Sequence, residues 1–229
     1  MSGPTAEEHG EALVRALERG FATVSDRIAL GTDSLEILRP RNADDLISEA
    51  DFVRDERLPY WADVWPSSLI LAAWLAGAGL RPGSLLEFGC GLGVVTVAAM
   101  RAGHDVLATD YYEDALRFAR ANAWRTLGRE PRIRMVDWRE LPDDLGTFDH
   151  VVAADVLYER PYAALMAAAI AQTLAPGGAA RIADPGRVAA DAFLAECEAR
   201  GLVVAGRETW PFEAGNVKQQ INVYAIRRA

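Results

Sequence analysis

Leu85-Leu86-Glu87-Phe88-Gly89-Cys90-Gly91-Leu92-Gly93 is an apolar run that ends in an acid and a phenylalanine and then carries glycine at three alternate positions. The apolar part reads as a strand over 84–88, and a helical pattern follows over 94–102. Glycine at such a joint lets the backbone turn sharply and approach a ligand with no Cβ in the way. Outward from the joint the chain keeps alternating. Strands are predicted at 105–109, 132–136, 150–154 and 179–184, and helices at 113–127, 161–174 and 189–200. Short apolar runs alternating with longer helical patterns are the signature of βαβ units, a parallel sheet and an α/β fold. Pro161 suits the first turn of its helix, and Gly103, Gly128, Gly177 and Gly201 fall just past helices as stop signals.

The two ends differ from this pattern. Residues 202–211 and 218–227 alternate in polarity, and 212–217, with Gly215 and Asn216, separates them. That spacing predicts an antiparallel hairpin with a longer loop. Near the start, a helix is predicted over 6–19 and a β-like stretch over 27–38, with Gly31 and Asp33 as turn material. Residues 1–59 therefore read as an accessory segment and 60–229 as the main domain, with no internal repeat and no long polar linker between them.

Composition bounds the function. The chain has 229 residues, of which 51% are hydrophobic and 25% charged, ordinary values that exclude disordered and low-complexity classes. Its net charge of −9 argues against a nucleic-acid partner and favours a basic one. Cys90 and Cys197 lie 107 positions apart, which suggests neither a disulfide framework nor a metal cluster and fits a reducing compartment. His9, His104 and His150 are isolated in sequence, and no metal is expected. The N-terminus lacks the basic and apolar regions of a secretory signal. The uncharged runs 64–80 and 163–180 are broken by proline and polar residues, short of the ~20 apolar residues of a membrane span. A soluble cytoplasmic protein is expected.

The glycine loop departs from the dinucleotide fingerprint G-x-G-x-x-G, because Val94 stands where its third glycine belongs. Glycines at 89, 91 and 93 after Glu87 fit a nucleoside cofactor without a pyrophosphate: an acid there repels phosphate and attracts an ammonium group. Asp110, 17 residues after Gly93 and flanked by Tyr111 and Tyr112, can accept both hydroxyls of a ribose. Asp137 can accept from an adenine amino group, and Trp138 can stack on the ring. All three acids come at the carboxyl ends of predicted strands, where open α/β sheets bind ligands. Each also has a plainer reading, since acids at strand ends often cap the next helix.

Together, Glu87-Phe88-Gly89-Cys90-Gly91-Leu92-Gly93, Asp110 and Asp137-Trp138 resemble the class I, seven-strand S-adenosylmethionine-dependent methyltransferases over residues 60–226. The resemblance implies a Rossmann-like, doubly wound seven-strand sheet, mostly parallel with an antiparallel C-terminal hairpin strand. It also implies S-adenosyl-L-methionine as cofactor and S-adenosyl-L-homocysteine as product. Tyr60-Trp61-Ala62-Asp63-Val64-Trp65-Pro66, Asp137-Trp138 and Ala153-Ala154-Asp155-Val156-Leu157-Tyr158 resemble, more narrowly, the branch with many protein-lysine methyltransferases. In that likeness Trp65, Glu87, Gly89, Cys90, Gly91, Gly93, Asp110, Tyr111, Asp137, Trp138 and Ala154 line the cofactor. Asp155 and Tyr158 are the catalytic pair on the acceptor side, with Trp61 beside them.

Asp184-Pro185-Gly186-Arg187 resembles the electron transfer flavoprotein β-subunit lysine methyltransferases and their bacterial relatives, which makes that subunit a candidate acceptor. The implied activity is N-methylation of a protein lysine. A small amine or metabolite as acceptor, or a non-catalytic cofactor-binding module, are the alternatives. On the residues alone, Asp155 could instead cap the helix starting at 161, Trp61 and Trp65 could be packing for a helix over 68–75, and Cys90 needs no reactive role.

Overall fold

A computed structural model describes residues 5–30, 33–46 and 58–229. The chain opens with helix α1 (Ala6–Gly20), started by a capping box in which Thr5 and Glu8 satisfy each other's backbone amides. Strands β1 (Thr23–Leu30) and β2 (Asp33–Pro40) then pair antiparallel. The β-like stretch predicted over 27–38 with turn material inside it falls within this hairpin, which reaches further at both ends. Asp33 begins its second strand, while Gly31 lies outside the described residues.

From residue 66 the elements are α2 (Pro66–Gly77), β3 (Ser84–Phe88), α3 (Val94–Arg101), β4 (Asp105–Asp110), α4 (Glu113–Leu127) and β5 (Arg132–Met135). They are followed by β6 (Phe148–Ala154), α5 (Pro161–Thr173), β7 (Leu174–Asp184), α6 (Ala190–Ala199), β8 (Leu202–Ala214) and β9 (Val217–Arg228). Seven strands form one sheet in the order β5-β4-β3-β6-β7-β9-β8. The first five run parallel, and β9 enters antiparallel to β7. Strand order reverses direction at β3 and β6, so the crevice of this open sheet lies at their carboxyl ends.

Both faces of the sheet are covered, which is why its strands read as continuous apolar runs. Leu85, Val106, Ala108 and Val152 face one core, closed by α2, α3 and α4 and backed by α1 and the β1–β2 hairpin. Leu86, Phe88, Val151, Ala153 and Ile182 face the other, closed by α5 and α6.

The differences from the predicted elements have physical causes. Strands β8 and β9 run on to Ala214 and Val217, so their connection is only Gly215-Asn216, not the longer loop expected. The extra residues project past the last β7–β9 pair, Asp184 with Asn222, into solvent and lose the buried face that makes a strand legible. Gly177 follows α5 as expected but already lies inside β7, which begins at Leu174, paired with Phe148 before a register shift. His104 and His150 are not isolated. Their rings meet edge to face at 4.7 Å near the opposite end of the sheet, and His9 contacts Glu130 at 2.9 Å. No helix among the described residues is long and apolar enough to cross a membrane.

Gly93 carries α3 across α4. It caps α3 at φ 81°, and a Cβ there would stand 2.7 Å from Ala119 Cα. Replacing Gly93 with Ala combines left-handed strain with a clash against backbone, so urea unfolding should show a loss of about 2–4 kcal/mol. An unchanged midpoint would mean that this crossing is not close.

Candidate active site

The carboxyl ends of β3, β4, β6 and the segment after β5 converge on one pocket. Its floor is the glycine loop. Gly89 and Gly91 are in left-handed conformations, φ 68° and 50°. A Cβ at Gly89 would stand 3.3 Å from Val156 and 3.4 Å from the Trp138 ring, and one at Gly91 would stand 3.2 Å from the Trp61 carbonyl oxygen. Cys90 N donates to Thr109 O at 2.9 Å, and Gly91 N donates to Asp110 Oδ2 at 2.9 Å. Gly93 is the exception among the glycines expected to line the cofactor. It is outside the pocket lining, its amide donates to Cys90 O at 2.8 Å, and its missing side chain serves packing on Ala119.

Burial raises the pKa of three groups of this floor. Glu87 is 2% exposed and its Oε2 accepts from Thr96 Oγ1. Burial pushes its carboxyl up to about 8, with Asp110 adding repulsion. Asp110 is also raised by burial, offset by backbone donors at Gly91, Tyr112 and Tyr111. The Cys90 thiol is held well above its usual range by burial and the two nearby acids, so it is an inert small residue.

At the next strand end, Asp137 caps a short turn by accepting from Arg139 N at 2.9 Å, and it pairs with the Arg139 guanidinium at 2.6 Å. Arg139 also lies 5.7 Å over the Tyr111 ring. The helix-capping reading of Asp137 is therefore realised, in company with a cation that the sequence did not single out. Oδ1 accepts from Arg139 N and Nε, and Oδ2 from Arg139 Nε and Nη2. Trp138 stands edge-on to Phe88 and Tyr162 at 6.5 and 5.5 Å.

On the opposite wall, Asp155 follows β6 at φ 58°, the one left-handed non-glycine among the described residues. Its side chain is 4% exposed, and it does not cap α5. Its Oδ1 accepts from Arg187 Nε at 2.8 Å, while Oδ2 is buried without a partner. Arg187 lies 5.5 Å over Trp65. Its own amide and that of Gly186 donate to Asp184 Oδ1 at 2.7 Å, so the Asp184–Arg187 segment is a turn that delivers a guanidinium to Asp155. Aromatic rings continue this wall: Tyr60 to Tyr158 at 5.4 Å, Tyr158 to Tyr162 at 4.9 Å. Trp65 Nε1 donates to Tyr60 O at 2.7 Å.

Trp61 lines the pocket, yet the residue is only 9% exposed and its ring packs on Phe118 at 5.6 Å, so the packing alternative describes most of its surface. Ala154 closes the lining at the end of β6. The structure thus brings every candidate site residue except Gly93 to one pocket, adds Tyr60, Arg139 and Tyr162 to its lining, and lets Arg187 reach Asp155 from outside that lining.

Residues 85–178 match a family model described as a methyltransferase domain. The chain is 31% identical over 116 residues to protein-lysine methyltransferase METTL21E of Mus musculus, covering 45% of this chain and 47% of that protein. It is 28% identical over 196 residues to ribosomal protein L11 methyltransferase of Pseudomonas fluorescens (strain SBW25), covering 85% and 62%. The chain therefore spans about half to three fifths of the length of these curated relatives. The magnesium protoporphyrin IX methyltransferase of Synechocystis, solved with bound S-adenosylmethionine, shares the fold at TM-score 0.57 and 20% identity, over 80% of this chain and 94% of that one. Residues 85–178 thus match a methyltransferase domain, the sheet shares its fold with an enzyme solved with S-adenosylmethionine, and the sequence is similar to protein-lysine and ribosomal protein L11 methyltransferases.

The residues present fit that cofactor. The cradle over Gly89 and Gly91 is one that side chains would fill, Glu87 suits an ammonium, Asp110 suits hydroxyl donors, and Trp138 offers a ring face. A cation beside Glu87 favours its charged form and lowers its pKa from about 8. Binding of S-adenosylhomocysteine at pH 7 should therefore release a proton, and affinity should climb with pH toward about 8 and fall again as the ligand's own ammonium loses its proton. Calorimetry in two buffers of different ionisation enthalpy measures this. Glu87→Gln should abolish the release; a wild-type titration with no proton exchange would contradict the assignment.

Proposed function

We propose that this protein transfers a methyl group to the side-chain amine of a protein lysine. The observation that carries the reading is Asp155: a buried carboxylate in a strained backbone conformation, on the pocket wall, with one oxygen held by Arg187 and the other without a partner. A left-handed non-glycine residue costs about 1–3 kcal/mol and persists where surrounding structure enforces it.

When bound, the cofactor supplies a sulfonium methyl carbon and a good leaving group, so the protein's work is positioning and preparation of the nucleophile. A lysine with a reference pKa of about 10.4 is neutral in roughly one molecule in 2,500 at pH 7. The rings of Tyr60, Tyr158 and Trp65 exclude water from the amine and so favour its neutral form. The Arg187 charge acts in the same direction, and Asp155 Oδ2 accepts an amine hydrogen and sets the direction of the lone pair. In this reading Trp65, Glu87, Gly89, Cys90, Gly91, Asp110, Tyr111, Asp137, Trp138 and Ala154 hold the cofactor. Asp155 and Tyr158 face the acceptor, and residues 1–59 support the domain formed by 60–229.

The relatives that act on lysine and on ribosomal protein L11 support a protein acceptor. The Asp184–Arg187 turn makes the electron transfer flavoprotein β subunit the first acceptor to assay. Free, buried cysteines at 90 and 197 agree with a cytoplasmic location.

With radiolabelled donor and cell extract, label should enter a protein band. Asp155→Ala should lower incorporation by on the order of a hundredfold while S-adenosylhomocysteine affinity stays within a few-fold. Label confined to the low-mass fraction would replace the protein acceptor with a small amine, and full activity in the variant would remove Asp155 from the reaction.

A further inference from the structure

The glycine loop has a third anchor that the pocket does not reveal. Asn122, on the buried face of α4, is fully enclosed and lines no part of the pocket. Its Oδ1 accepts from Leu38 N at 2.7 Å, and its Nδ2 donates to Leu38 O at 2.9 Å. The same Nδ2 donates to Leu92 O at 2.9 Å. Leu38 N can only donate and the two carbonyls can only accept, so the amide has one workable orientation.

The geometry has two consequences. Toward the N-terminal segment, the amide imitates a peptide of a neighbouring strand, closing a two-bond ring on the outer edge of β2 at Leu38. Toward the site, its second hydrogen holds the carbonyl between Gly91 and Gly93, the point where the loop passes from cradle to helix. Nothing in the loop's own sequence replaces this bond. Apolar contacts run alongside it: Leu17, Ile28, Leu35 and Ile37 share the core that contains Leu92, Val94 and Phe118. Phe21 meets Phe118 at 5.2 Å and Trp61 at 6.5 Å.

We infer that Asn122 is a positioning residue for the cofactor loop, and that through it the β1–β2 hairpin and the methyl-donor pocket are one coupled unit. An amide that bridges two backbone segments ties the order of one to the order of the other, and such coupling is reciprocal. Donor binding therefore steadies the hairpin, and a loosened hairpin weakens donor binding. This rests on the donor occupying the pocket.

Hydrogen exchange on the full chain with and without S-adenosylhomocysteine tests it. The Leu38 amide and its β1–β2 neighbours should slow on binding by at least several-fold more than amides of β8 and β9, at the edge of the seven-stranded sheet opposite β4 and β5, on which α4 packs. Asn122→Asp, which keeps the acceptor and loses both donors, should weaken S-adenosylhomocysteine binding on the order of tenfold and abolish the hairpin response, with the slowing near Asp110 retained. Phe193→Leu, a substitution in the other core, serves as a control for lost stability and should leave affinity unchanged. Hairpin exchange that does not respond in the wild type, or an affinity loss in Phe193→Leu equal to that in Asn122→Asp, would overturn the inference. Failure of the wild type to bind S-adenosylhomocysteine at all would instead overturn the cofactor assignment.

Discussion

The site depends on holding a loop of three alternate glycines open at the end of a central strand. Glycine gives the loop its left-handed turns and its bare surface, but it also gives freedom that would close or blur the cradle. The protein offsets that freedom with anchors outside the loop: the Thr109 carbonyl, the Asp110 carboxylate and the Asn122 amide. The first two come from β4 and the third from α4, so the loop's shape is a property of the packed sheet and helix layer, not of the local sequence. Gly93 shows the same division of labour, since it gives up contact with the pocket to let α3 cross α4.

A second theme is buried acid. Glu87, Asp110, Asp155 and Asp184 are all buried at the carboxyl edge of the sheet, and desolvation raises the first two and Asp184 above ordinary carboxylate values. Burying carboxyl groups costs stability unless donors or cations reach them. Backbone amides and Arg187 meet part of that need. In the proposed function an ammonium at Glu87, a diol at Asp110 and an amine at Asp155 would supply further donors.

Much of this was legible in the sequence, for a physical reason. The central strands are buried on both faces, so their apolar runs are unmistakable, and β3 and α4 lie where the patterns put them. Strand-end acids and glycines sit in the same runs, so the pocket floor could be read by counting. Legibility failed where burial failed, at the projecting ends of β8 and β9, and where a strand starts ahead of a glycine-bearing register shift, at the start of β7. It failed again where function depends on partners distant in sequence. Arg187 reaches Asp155 across 32 positions and Asn122 reaches Leu38 across 84. The Asp184–Arg187 motif was visible, but that its arginine turns back onto Asp155 is a fact of packing.

The most direct measurement of the whole account is a crystal structure of the protein grown or soaked with S-adenosylhomocysteine. The account predicts density in the crevice with the amino-acid end at Glu87, the ribose hydroxyls at Asp110 and the purine against Trp138, leaving the Asp155 wall open. An empty crevice at saturating ligand, or ligand bound elsewhere on the chain, would contradict it.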